Sequence, residues 1–346
     1  MFILEEPLLF KLLHSFLTEY LPHQRNCSPN TVTSYRRVLN FFLNYIAESN
    51  CMKLADITFQ QFKYDTINSF VQSLDKEKGN SAVTCNHRLT CLRTFIKYVS
   101  SMEPSLTYLI GEIEKIPFKK LVKHTVNYMS ESAVETMLSM PDVTTQKGIR
   151  DQFIMILLYD TGARIQEILS VRIKDIRIKG VPIITVCGKG SKIRSIPLME
   201  QTVHQLKRYL AVYHQESHEN DYLFYIMHNG KRCKMSDDNV RKLLKKYSAE
   251  ARKHNPQVPE TLYPHLWRHS RAMHLYQHGM DLTLISQWLG HANLETTLIY
   301  AHADTEYKRR AIQKATPANS PLAVDDGQER YCIDDEIMLK KLYGLL

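Results

Sequence analysis

The sequence predicts a mainly α-helical protein of two units, with one small β-hairpin in the second. Three observations predict it. Apolar side chains recur at helical spacing along most of the 346 residues. Residues 172–198 break that rhythm: 181–187 (Val-Pro-Ile-Ile-Thr-Val-Cys) and 193–196 (Ile-Arg-Ser-Ile) read as strands around Gly188-Lys189-Gly190. Residues 115–125 carry little periodicity and no strong cap, which marks a basic linker. A chain of this length suits about two domains.

The elements follow in order. Leu8, Leu9, Leu12, Leu13, Phe16 and Leu17 line one face of a helix over 8–21. Ser28-Pro29-Asn30-Thr31 starts a second helix, with proline just inside the entry. Its face carries Val32, Tyr35, Val38, Leu39, Phe42 and Ile46. Further helices are expected at about 58–75 and 81–100, completing a four-helix bundle. After the linker, helices are expected over 130–140, 147–160 and 163–170. The hairpin follows, and then helices at about 200–214, 236–253, 265–278, 281–289 and 293–299. Thr316-Pro317 and Ser320-Pro321 break the pattern, and a short final helix is read over 333–345. The domains expected are 1–115, a linker over 116–128, 129–316 and a tail over 317–346.

Bulk composition excludes several classes. No run of 18 apolar residues exists, so no membrane span is expected. The N-terminus lacks the basic start of a secretory signal. Seven scattered cysteines form no Cys-x-x-Cys pair, so neither a disulfide framework nor a zinc site is indicated. A reducing cytoplasm is the expected compartment. The net charge of +9 is unevenly spread. Residues 121–320 hold 28 basic and 19 acidic side chains, against 14 and 11 before them and 3 and 6 after. A basic central block suits a polyanion.

The chemistry-bearing residues lie in that block. Arg164 and Glu167 follow Thr161-Gly162, and Lys189 stands at the hairpin tip. His265 and Arg268 are three apart on one helix and so share a face. His269, Leu289-Gly290-His291, Tyr300 and His302 follow. His291 and Tyr300 are nine apart, which demands a turn between them, expected at Ala292-Asn293. Together these groups offer a nucleophile, donors for non-bridging oxygens and a proton shuttle, the needs of phosphodiester transfer. A free phenol has a pKa of about 10, so nearby cations must help a tyrosine act at neutral pH. Arginine suits a phosphate clamp because its planar fork donates two parallel bonds and stays charged.

In this order and context the residues resemble the tyrosine recombinases, the phage-integrase and Xer family. The match covers the C-terminal half closely and the N-terminal third loosely. The resemblance implies a SAM-like core-binding bundle and a catalytic domain that form a C-shaped clamp on duplex DNA. It implies that Arg164 and Arg268 hold the scissile phosphate, Lys189 protonates the leaving 5′-oxygen and His265 serves the base side. His291 would hydrogen-bond the phosphate, Glu167 buttress the site, and Tyr300 attack phosphorus to leave a 3′-phosphotyrosyl link. Neither metal, cofactor nor ATP is implied. Lys192 is the rival for the acid role; His269 and His302 read as structural or non-catalytic.

Arg36, Arg37, Arg88, Arg93 and Lys97 in the bundle would approach DNA phosphates, as would Lys119 and Lys120 in the linker and Lys192 and Arg194 in the hairpin. Such binding weakens with salt through counterion release. The implied partners are double-stranded recombination sites, at which four copies assemble from monomers or dimers, with room for an accessory directionality factor. The nucleoid is the implied place of work. The first helix begins almost at once, which argues against an additional arm-binding domain. Ile337, Met338, Leu342 and Leu345 form an apolar stripe suited to docking on a neighbouring protomer. The role read is a mobile-element integrase or transposase. The alternatives are an Xer-like dimer resolvase, a type IB topoisomerase, and a non-catalytic regulator on the same scaffold.

Overall fold

The computed structural model describes residues 7–76, 79–121, 126–188, 190, 192–291 and 293–303, together with 309, 312, 313, 316 and 340. Lys189 and, apart from Lys340, the tail over 317–346 with its expected docking helix lie outside the described residues. The chain divides into two compact units, Met1–Lys123 and His124–Leu346.

Every regular element described in the first unit is helical. Helix α1 (Leu8–Ser15) continues into a wider-wound stretch, Phe16–Gln24, that accommodates Pro22. Proline has no N–H to give a regular helix, and i+5 bonding absorbs the gap. Helix α2 (Pro29–Ser49) starts as expected, with the Ser28 hydroxyl accepting from the Thr31 N–H. Helix α3 (Tyr64–Lys76) begins later than expected because Leu54–Asp56 and Phe59–Gln61 form short tight turns first. Helix α4 (Ala82–Met102) is followed by a short α5 (Tyr108–Glu114), which periodicity did not disclose. Phe16, Phe42, Phe62, Phe70 and Phe95 are all buried, and their rings meet at 5.0–6.4 Å. Each such pair adds roughly 1 kcal/mol beyond simple burial.

The segment expected as a linker is held down over its described start. Asn86 makes two 2.8 Å bonds with the Lys119 backbone. Arg93 donates to the Ile116 carbonyl and stacks on the Phe118 ring at 4.2 Å. Lys119 pairs with Asp75. Arg93 and Lys119, both expected on DNA, thus already have partners within the first unit.

The second unit is built around α7 (Gln146–Thr161). Phe153, Ile154, Met155, Leu157 and Leu158 are all buried, and only a narrow half-buried stripe of Gln152, Ile156 and Tyr159 interrupts them. Helices α6 (Glu131–Ser139), α8 (Ile165–Ser170), α9 (Glu200–Tyr213), α10 (Asp237–His254) and α11 (Pro264–Gln277) complete the main core. Strands β1 (Ile176–Arg177), β2 (Ile183–Cys187) and β3 (Ile193–Pro197) form an antiparallel sheet in chain order, so the expected hairpin gains a third strand. A second hairpin, β4 (Tyr225–His228) and β5 (Lys231–Lys234), was not foreseen. Its signal was present: Asn229-Gly230 turns with both residues at positive φ, 48° and 72°. Helices α12 (Leu282–Leu289) and α13 (Glu295–Ala303) close the unit. No described helix is long and apolar enough to cross a membrane.

Candidate active site

The site grows from the carboxyl ends of two helices. Helix α7 stops at Gly162 (φ 57°) and α12 at Gly290 (φ 67°), both in the left-handed conformation that glycine adopts without strain. Arg268, on α11, donates from Nη1 to the Gly162 carbonyl and from Nη2 to the Leu289 carbonyl, each at 2.8 Å. The guanidinium is therefore held between two helix C-termini, whose partial negative charges offset its own. It is 3% exposed and has no carboxylate ion-pair partner among the described residues. Burial, then the Arg164 charge, lowers its pKa to about 10, so it stays protonated at neutral pH.

Glu167 is the one buried carboxylate of the cluster, 4% exposed. It accepts from the Arg164 backbone N–H at 2.9 Å and from Arg164 Nη1 at 2.9 Å. It also accepts from Arg194 Nη2 at 2.7 Å and Nη1 at 3.2 Å. Burial pushes its pKa up, but the Arg194 and Arg164 bonds outweigh that and hold it below the usual carboxylate range. Arg164 stands at the residue before α8 rather than within its first turn. Two guanidinium groups thus bind one carboxylate while a third, that of Arg268, lies within its electrostatic reach, leaving a local positive surplus suited to an anion.

Arg194 corrects an expectation. It was read as a DNA-backbone contact, yet it is half-buried, with Nε also bonding the Trp288 carbonyl at 3.1 Å. Strand alternation explains it. Arg194 pairs with Val186 and lies two residues from Ile196, so it shares their inward face. A Cβ at position 290 would meet its guanidinium at 3.0 Å, a second reason for glycine there.

Tyr300 lies on α13, wholly buried among Ala272, Met273, Ile285 and Leu289. Its hydroxyl is 3.0 Å from His269 Nδ1. Burial pushes the phenol up to about 12, with the Arg268 charge pulling the other way. His291 Nδ1 meets the Thr297 hydroxyl at 2.7 Å. Burial, then Arg268 and Arg164, lowers His291 to about 4. His265 is exposed at the start of α11; the protein around its ring and the charges of Arg268 and Arg164 also lower it. Arg164, Arg268, His265, His291 and Tyr300 therefore share one electrostatic neighbourhood within one unit. The expected turn between His291 and Tyr300 is the break from α12 to α13. His269, read as structural, is the residue that touches Tyr300.

The remaining surface expectations divide. Arg36, Arg37, Lys120 and Lys192 are exposed. Lys97 is exposed but 3.7 Å from Glu114. Arg88 is half-buried and stacks on Phe41 at 4.6 Å.

Residues 127–307 match the phage integrase family, and residues 14–102 match the phage integrase N-terminal SAM-like domain. The chain belongs to the phage integrase family. It is a tyrosine recombinase, an enzyme of site-specific recombination that cuts and rejoins DNA. Among its relatives, tyrosine recombinase XerD of Oceanobacillus iheyensis is 30% identical over 292 residues, 82% of this chain and 91% of that one. Tyrosine recombinase XerA of Pyrococcus horikoshii is 31% identical over 240 residues, 69% and 76% of the two chains. Solved structures share the fold. XerH bound to a palindromic difH substrate after cleavage aligns with a TM-score of 0.65 at 22% identity, covering 88% of each chain. The Tn1549 transposon integrase with transposon right-end DNA aligns at 0.62 and 21% identity, covering 87% of this chain and 98% of that one.

Proposed function

We propose that Tyr300 is the nucleophile of this recombinase and that Arg164 and Arg268 clamp the scissile phosphate. The observation that carries the reading is the surplus of guanidinium over carboxylate around Glu167, beside a tyrosine on the neighbouring helix. Both arginines can offer hydrogens to the non-bridging oxygens, and losing one such donor typically costs about 3–4 kcal/mol of transition-state stabilisation. Tyr300 Oη bonds to phosphorus as the bond from phosphorus to the 5′-oxygen breaks. The 5′-oxygen takes a proton from Lys189, and a 3′-phosphotyrosyl link remains. That link conserves the bond energy, so a 5′-hydroxyl of another strand reverses the step without ATP. His291 hydrogen-bonds the phosphate as a neutral imidazole.

Tyr300 is fully buried in the free protein, so its hydroxyl must be uncovered before it reaches a phosphate. Binding of the target duplex supplies that opening in this reading. Each protomer carries one such tyrosine, and exchanging both strands of two duplexes needs four cleavages. Four copies are therefore expected in the synaptic complex. The relatives include Xer recombinases and the fold neighbours a transposon integrase, so the likeness is to shared chemistry rather than to one biological role.

The test is a nicked suicide duplex that traps the covalent adduct. Wild-type protein should form a phosphotyrosyl product, and Tyr300→Phe should form none. An adduct with Tyr300→Phe would move the nucleophile elsewhere. Exchange of flanks between two marked sites separates recombination from simple relaxation.

A further inference from the structure

We propose that His269 is a catalytic residue of this enzyme: its Nδ1 takes the phenolic proton as Tyr300 Oη bonds to phosphorus. The inference rests on Tyr300 being the nucleophile, and it departs from the resemblance, which gave His265 the base side.

Geometry carries it. His269 Nδ1 is 3.0 Å from the hydroxyl, the one hydrogen-bond partner of that oxygen among the described residues. A hydroxyl has one hydrogen to place, and a ring nitrogen carrying a lone pair can accept it. Tyr300 is fully buried in the free protein, so His269 is the base already on its hydroxyl when the duplex uncovers it. His265 lies one helical turn earlier and is exposed, with its ring centroid 6.4 Å from that of His269. It is placed to meet phosphate or solvent, whereas His269 faces the phenol. Neither nitrogen of His269 is among the buried polar atoms without a partner, so Nε2 can hold the neutral ring's own hydrogen without being sealed in.

The electrostatics set the protonation states before DNA arrives. Burial, then the charges of His265 and Arg268, lowers His269 to about 4, so its lone pair is free at neutral pH. The phenol stands at about 12, so the proton stays on oxygen in the DNA-free protein. As the bond to phosphorus forms, the phenolic oxygen loses its basicity and the transfer turns downhill. A phosphate held by the arginines favours the resulting imidazolium. The balance is simple: one bond from phosphorus to oxygen forms, one breaks, and the proton moves from Oη to Nδ1. A separate acid supplies the 5′-oxygen. In religation the imidazolium returns the proton to the departing phenolate.

The experiment measures single-turnover adduct formation on the suicide duplex, with DNA binding and melting temperature as controls. His269→Ala should slow the adduct about 100-fold or more, in the usual range for a lost general base, while binding changes little. His269→Gln, which can hold the hydroxyl but cannot take a proton, should be as slow. It carries the test if the alanine variant does not fold. Added imidazole should restore part of the rate in the alanine variant. A substrate with sulfur at the bridging 5′ position, which leaves without protonation, should not relieve the defect. Near-wild-type cleavage by either variant, with Tyr300→Phe inactive, overturns the proposal and leaves the nucleophile intact. Rescue by the sulfur substrate also overturns it, because His269 would then serve the leaving group. An adduct in Tyr300→Phe would instead refute the underlying reading.

Discussion

Replacing Glu167 by glutamine tests how the site is held together. The substitution keeps the shape and removes one charge. In the native protein that charge is 4% exposed and answers Arg164 at 2.9 Å and Arg194 at 2.7 Å. Two unit charges about 4 Å apart interact by roughly 4 kcal/mol at an effective dielectric of 20. Desolvation offsets much of that, and breaking a buried pair by removing one partner typically costs about 3–5 kcal/mol. Glutamine retains one acceptor, but its amide hydrogens would face a guanidinium, donor against donor. We therefore expect a loss near the lower end, about 3 kcal/mol. In a unit of this size that shifts the melting temperature by roughly 6–12 °C. Thermal unfolding followed by circular dichroism, without DNA, reads it directly. Arg164 would also lose its anchor, so adduct formation should fall at least about tenfold. A variant melting within 2 °C of wild type would show that the carboxylate is not the keystone of the arginine cluster.

Other outcomes follow from the same geometry. Arg268→Lys keeps the charge but cannot bond both the Gly162 and Leu289 carbonyls; adduct formation should drop about 100-fold or more with stability lower by about 2 kcal/mol, measured on the suicide duplex and by melting. Acid should destabilise the free protein as pH falls from about 6.5 towards 4. His269 and His291 are held neutral at about 4, whereas the unfolded chain binds protons from about 6.5, so each withdraws about 2 kcal/mol at pH 5. Denaturant midpoints at pH 7 and pH 5 check this, and His291→Gln should flatten the difference. Arg93→Ala should destabilise the first unit by about 1–2 kcal/mol by freeing the Ile116 carbonyl and the Phe118 ring, a loss visible in melting without DNA.

Much of the molecule was legible in its sequence because local rules govern those parts. Ser28-Pro29 set a helix start, Gly162 and Gly290 set two helix stops, and apolar spacing set most helix positions. The second hairpin is signalled at Asn229-Gly230, a single dipeptide set between longer helical patterns. Arg194 alternates with Ile196 and so faces inward, although a basic side chain near a glycine turn resembles a surface contact. Arg93 departs from its expected place on DNA for a different reason. Its partners lie at Ile116 and Phe118, and no local pattern reveals that the following segment folds back onto α4.

The sequence by itself determined which side chains are present for phosphoryl chemistry, on which helices they lie, and to which family the chain belongs. Only the tertiary structure decided that Arg268 is fastened between two helix ends, that one carboxylate serves two arginines, and that His269 meets Tyr300. Those facts depend on residues from about 20 to about 110 positions apart being brought within 3 Å. Such distances arise from packing of whole helices, a cooperative property that local propensity and spacing do not encode.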